Sequence, residues 1–96
     1  MGFDDIIFLE EYQWDMSKQA VTFWADVDNQ RITCQISREA LVDYYRTEDT
    51  KEQALINFED NQYDICNLAE HLIRNDVFEE DGGIFIYFET CQNYNL

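Results

Sequence analysis

Between Gln19 and Ser37 the chain alternates apolar and polar residues twice, with a short polar break between the runs. In the first run Val21, Phe23, Ala25 and Val27 fall on one side, and Ala20, Thr22, Trp24 and Asp26 on the other. A side-chain period of two marks a half-buried strand. Asp28, Asn29 and Gln30 follow, and such residues tolerate tight or left-handed turns. Arg31 to Ser37 then alternates again, with Ile32, Cys34 and Ile36 on the apolar side. Two such runs joined by a short polar turn predict an antiparallel hairpin. Its apolar face needs a cover, and the segments that follow can supply it.

Those segments change period. The Ser37 hydroxyl is placed to cap a helix through REALVDYYR, with Leu41, Tyr44 and Tyr45 as its buried stripe. Residues 47–50 interrupt it. Thr50 and Gln53 have the spacing of a capping box, predicting a second helix that turns Ala54, Leu55 and Phe58 inward. Asn61 with Asp64 marks a third start, after which Ile65, Leu68, Ala69, Leu72 and Ile73 recur at steps of three and four. No other helical pattern in the chain is as strong.

The ends read more weakly. Ile6 to Leu9 is a short strand candidate, and Glu10 to Lys18 reads as a loop holding Tyr12, Trp14 and Met16. In EEDGGIFIYFE, Gly82 and Gly83 suit the positive φ of a tight turn, and a strand apolar on both faces follows. The last residues, QNYNL, read as a polar end. The expected fold class is α+β: a small antiparallel sheet built on the hairpin, covered on one face by two or three helices, with a C-terminal strand. Residues 1–96 form a single acidic domain, as expected for a chain of that length.

Charge narrows the partners. Twenty-one acids against six bases give a formal net charge of -15. Phosphate backbones and anionic membranes are recognised by positive charge, so direct nucleic-acid or membrane binding is disfavoured. A hydrophobic fraction of 46% with 16% aromatics nevertheless argues for a folded core. The opening residues carry acids and no basic cluster, unlike a secretory signal. Gly2 has Ile6 where a myristoylation signal needs a hydroxyl. Cys34, Cys66 and Cys91 form no close pair, which suits reduced thiols and a cytoplasmic location, with Cys91 expected to be the most exposed.

The stretch from Ile6 through Trp14 and Asp15, then AVTFWADV and ITCQISREAL, resembles the DUF1488 family of small bacterial proteins of unknown function. Ala54, Leu55 and Phe58, then LAEHLI at Leu68 to Ile73 and FEEDGGIFI at Phe78 to Ile86, fit its second half. The resemblance implies a small α+β cytoplasmic protein and brings no activity or ligand residue with it. Excess acid and Trp24 between Phe23 and Ala25 set this chain apart from that pattern.

Candidate chemistry is sparse. The carboxylates around the first loop (Asp4, Asp5, Glu10, Glu11, Asp15) and at Asp26 and Asp28 read as solvated acids, because splitting their pKa values requires a desolvated pocket. His71, the lone histidine, has no nucleophile at helical spacing, and metal-ligand spacings such as C-x-x-C and H-E-x-x-H are missing. Gly82 and Gly83 lack the lysine of a phosphate loop. No catalytic, cofactor-binding or metal residue is therefore expected, no cofactor is implied, and the chain does not read as an enzyme.

What remains is surface. Glu39, Asp43, Glu48, Asp49, Glu52, Glu59, Asp60, Asp64, Asp76, Glu79, Glu80 and Asp81 offer an acidic interaction surface for a basic protein. Trp14, Trp24 and Tyr87, with Tyr12 and Tyr94 nearby, offer an aromatic one. Trp24 faces away from Phe23, so either residues 1–18 fold back over it or a partner covers it, a second copy in a homodimer included. The leading class is a non-catalytic protein-interaction or regulatory domain. A nucleic-acid mimic occupying a basic DNA-binding protein is the alternative, an inert solvated surface is the bland one, and a small enzyme is the remaining class.

Overall fold

A computed structural model describes residues 5–96; Gly2 and Asp4, considered above, lie outside that range. The elements run β1 (Ile6–Asp15), β2 (Ala20–Val27), β3 (Gln30–Ser37), α1 (Arg38–Tyr44), α2 (Lys51–Asp60), α3 (Gln62–Arg74), β4 (Ile84–Ile86) and α4 (Phe88–Asn93). The strands form one sheet in the order β1-β2-β3-β4. The first three pair antiparallel, and β4 joins β3 in parallel, so the sheet is mixed. Parallel neighbours need a long crossover, and the three helices between β3 and β4 provide it.

The predicted hairpin is β2–β3. Asp28 and Asn29 turn it with φ values of 49° and 69°, the left-handed pair that a two-residue turn between twisted strands prefers. Its register sets Phe23 against Cys34, Val21 against Ile36 and Trp24 against Thr33. Alternation then sorts the residues: Val21, Phe23, Ala25, Cys34 and Ile36 are all buried at 1% exposure or less.

The loop expected over residues 10–15 is strand instead. β1 runs to Asp15, with Tyr12 opposite Phe23 and Trp14 opposite Val21. Between the pairs Phe8–Ala25 and Tyr12–Phe23, three β1 residues stand against Trp24 alone. Two extra residues leave the two-residue phase intact, so Ile6, Phe8, Tyr12 and Trp14 all point to the covered face.

Side-chain caps form at α1 and α2, but Gln53 Nε2 donates to Asn57 Oδ1 instead of completing a capping box, and Asn61 begins α3 with no side-chain cap. Ser37 Oγ accepts from the Ala40 amide at 2.9 Å, and Thr50 Oγ1 from the Gln53 amide at 3.0 Å. In α1 the buried residues are Ala40, Leu41 and Val42, while Tyr44 and Tyr45 are half-buried. The Tyr44 hydroxyl reaches the Leu96 carbonyl instead. The α3 stripe is buried throughout, and α2 buries Ala54, Asn57 and Phe58 while Leu55 is half-buried. Asn57 ties α2 to α1: its Nδ2 donates to the Leu41 carbonyl at 3.0 Å and to Thr47 Oγ1 at 2.7 Å. Phe58 meets the sheet through Phe23 (ring centroids 5.4 Å apart) and Tyr12 (5.0 Å).

The C-terminal end departs from expectation. The strand stops at Ile86, and the Tyr87 amide donates to Thr90 Oγ1 at 3.1 Å as α4 begins. The supposed polar end is therefore partly helical and packs against α1. Cys91, expected to be the most exposed thiol, is fully buried because it lies on the inward side of α4.

Candidate functional site

The helices cover the sheet face that carries Val21, Phe23, Cys34, Ile36, Ile84 and Ile86. The alternate residues make the opposite face, and no described element lies across it. Here Gln13 pairs with Thr22, Thr22 with Gln35 and Gln35 with Phe85, a row crossing all four strands. Gln35 and Thr22 are only 7% and 5% exposed on this open side. Gln35 Nε2 donates to Thr22 Oγ1 at 2.9 Å and to Asp15 Oδ2 at 3.0 Å, locking three strands together. Asp15 Oδ1 also accepts from the Lys18 amide at 3.1 Å. The Lys18 amide chiefly, and the Gln35 amide next, hold the Asp15 carboxyl below the usual carboxylate range.

Farther along the hairpin, Arg31 grips Asp26 across the strands at 2.9 Å. That hydrogen-bonded pairing lowers the Asp26 carboxyl and raises the Arg31 guanidinium from their ordinary values. Toward β4, the Phe85 and Tyr87 rings lie 4.6 Å apart. The Tyr87 hydroxyl donates to Glu79 Oε1 at 3.2 Å; burial first, and then Glu79, raise its pKa.

Glu79 belongs to a turn fixed to the sheet. Its amide donates to the Gly83 carbonyl at 2.8 Å, and the Gly83 amide donates to Asp81 Oδ1 at 2.9 Å. The two glycines serve different needs. Gly82 takes the positive φ, 86°, whereas Gly83 sits where a Cβ would lie 2.8 Å from the Thr33 carbonyl oxygen. Absence of a side chain at Gly83 thus lets the acidic turn press onto β3. Together the turn and the open face enclose a concavity of about 800 Å³, whose lining includes Asp15, Trp24, Gln35, Phe85, Tyr87 and Glu79 to Asp81.

The structure divides the residues that sequence singled out. Glu79, Glu80 and Asp81 line this concavity. Glu39 and Asp43 on α1, Glu48 and Asp49 in the link, Glu52, Glu59 and Asp60 on α2, Asp64 on α3 and Asp76 beyond it are exposed around the helical layer. Two of these have partners: Asp49 pairs with Arg38, and Glu59 accepts from the Tyr12 hydroxyl.

The aromatic group divides too. Trp14 packs on the helix side, with the Lys51 ammonium 5.8 Å from its ring centroid. Tyr94 meets His71 edge-on at 5.0 Å, beside a separate hollow with Asp64 and Asn67. Trp24 and Tyr87 remain together on the open face, joined by Phe85. β1 lies beside β2 rather than folding over it, so Trp24 keeps a half-exposed ring. Sequence reasoning passed over Phe85, Gln35 and Thr22, although their phase opposite to Ile84, Ile36 and Val21 was visible.

Burial pushes the Cys34 thiol up to about 12 and those of Cys66 and Cys91 to about 11, away from the reactive thiolate. Burial also raises Tyr45, whose hydroxyl is buried without a hydrogen-bond partner. Among the described residues no three His, Cys, Asp or Glu side chains cluster closely enough to hold a metal. None of the described helices is long and apolar enough to cross a membrane.

The architecture is that of a two-layer α+β domain, its mixed sheet covered on one side by helices and open on the other. A family model described as "Protein of unknown function (DUF1488)" matches residues 6–86, and the chain belongs to that family. It is 36% identical over 81 residues to "Uncharacterized protein YrdB" of Escherichia coli (strain K12), covering 84% of this chain and 94% of that protein. The protein of the same name in Shigella flexneri is 35% identical over the same shares. A crystal structure of a DUF1488 protein of unknown function from Shewanella loihica PV-4 superposes with a TM-score of 0.77 at 34% identity, covering 84% of this chain and 90% of that one. The family match ends at Ile86, so α4 lies beyond it.

Proposed function

We propose that this protein is a non-catalytic interaction domain that engages a basic protein through the open face of its sheet. One observation carries the reading: a fixed acidic turn, Glu79 to Asp81, borders half-exposed aromatic rings over a hydrogen-bonded floor. Aromatic area supplies binding energy at interface centres, and surrounding charge steers the encounter. Twenty-one acids exceed the six bases by fifteen, and three of those bases (Arg31, Arg38 and Arg74) already pair with acids of the same chain. The free state of its three cysteines supports a reducing compartment such as the cytoplasm.

Titration with a basic peptide at low and high salt, followed by amide chemical shifts, tests this reading. Binding should weaken with salt, and the shifts should map to β2, β3, β4 and the 79–83 turn. Shifts confined to α1 and α2 would overturn it, as would competition with duplex DNA for a basic protein through those helical acids. Sedimentation as a dimer with a silent open face would overturn it in favour of self-association.

A further inference from the structure

The lining of the open-face concavity is more selective than its charge alone. Four carboxylates (Asp15, Glu79, Glu80 and Asp81) line it against two cations, Lys18 and Arg31. Arg31 is already held by Asp26 at 2.9 Å, so the balance facing a ligand is negative. Aromatic faces come from two directions, Trp24 on β2 and the Phe85–Tyr87 pair at β4, whose rings are tilted by 36° to each other. The acceptors are held in place. Tyr87 fixes one oxygen of Glu79, and the Gly83 amide fixes one oxygen of Asp81. Gln35 spends its amide hydrogens on Asp15 and Thr22, which turns its carbonyl oxygen into the group available to accept.

We infer that this concavity receives an arginine side chain presented by the basic partner. The inference rests on the interaction reading above and names the group recognised. An ammonium is a compact, strongly hydrated charge that gains little from flat walls. A guanidinium is planar and weakly hydrated, stacks on aromatic rings and donates a fork of N–H groups to carboxylates. Aromatic faces beside oriented carboxylates match the second chemistry. A phosphate or carboxylate ligand is opposed by the same four acids.

The test uses three short Gly/Ser peptides that carry arginine, lysine or citrulline at the same positions. Each is titrated into the full chain while the indole N–H signal of Trp24 is followed, assigned with a Trp14→Phe variant. The arginine peptide should move that signal and bind more tightly than the lysine peptide, and the uncharged citrulline peptide should not bind. Trp24→Leu, which keeps an apolar side chain but removes the ring, should weaken arginine binding by about tenfold, whereas Trp24→Phe should retain most of it. Equal binding of the arginine and lysine peptides to the open face, unchanged by Trp24→Leu, would overturn the arginine site and leave the basic-partner reading standing. If neither cationic peptide shifts the open face at low salt, both fall.

Discussion

Phe23 and Trp24 are neighbours in one strand, yet they belong to different environments. Phe23 is 1% exposed, packed between Phe8 and Phe58 under the helices. Trp24 stands on the open side, half-exposed, with three β1 residues bowed out beside it. The helix-covered face is almost wholly apolar, and its order comes from packing. Order on the open face comes from polar cross-links, Gln35 with Asp15 and Thr22, Arg31 with Asp26, and Tyr87 with Glu79. A face held rigid by hydrogen bonds can stay solvent-accessible without loosening, as a preformed binding surface requires.

The sharpest way to break this contrast is to truncate both neighbours. Phe23→Ala should cost about 3–5 kcal/mol by leaving a cavity in the core, a large share of the about 5–15 kcal/mol typical of a domain. Trp24→Ala should cost about 2 kcal/mol or less, since only part of its ring is removed from water. Urea unfolding measures both, and equal losses would show that something covers the open face.

A smaller effect is expected inside the helical layer. Asn57→Ala leaves the Leu41 carbonyl and the Thr47 hydroxyl without their partner, and should lower unfolding stability by about 1–3 kcal/mol. If denaturation midpoints do not move, the link between α1 and α2 is held by apolar contact alone.

Alkaline pH probes the covered face selectively. The Cys34 thiol ionises near 9 when unfolded but is held neutral up to about 12 in the fold. Its contribution is complete below pH 9 and is lost as the pH climbs from there toward 12, because the unfolded chain releases its proton first. By pH 10 the loss should be about 1 kcal/mol from this thiol. Cys66, Cys91 and Tyr45 shift in the same direction. Unfolding curves at pH 8 and pH 10 should therefore differ, and Cys34→Ala should narrow the gap. Identical curves would mean that water reaches the thiols.

Least affected should be Tyr87→Phe, which removes one exposed hydrogen bond to Glu79 for about 0.5 kcal/mol. A larger loss would make the open face a contributor to stability on the scale of the core.

Alternation made β2 and β3 legible, side-chain oxygens marked the starts of α1 and α2, and the α3 stripe was unambiguous. All three are local signals. β1 was half missed because Leu9, Glu10 and Glu11 interrupt its alternation, although Tyr12 and Trp14 resume it in phase. α4 was missed because a six-residue helix with little more than Phe88 and Cys91 to bury has no measurable period. The parallel pairing of β4 depends on how three helices pack, which no short window contains. Of the candidate site, the acids and aromatics were identifiable one by one. Their division between two layers depends on which residues share a sheet face, and Phe85 entered only with the strand order.

The bowed segment opposite Trp24 also bears on how copies of the chain meet in concentrated solution. β1 is an outer strand, and a flat outer strand with free amides and carbonyls invites another copy to add on. Glu10 and Glu11 sit within the bulge, spoiling that template with both geometry and like-charge repulsion. Deleting that pair of glutamates preserves the inward phase of Tyr12 and Trp14 while straightening the rim. The shortened chain should still fold, and it should associate through β1 more strongly than the native one, as sedimentation of the two at equal concentration would show.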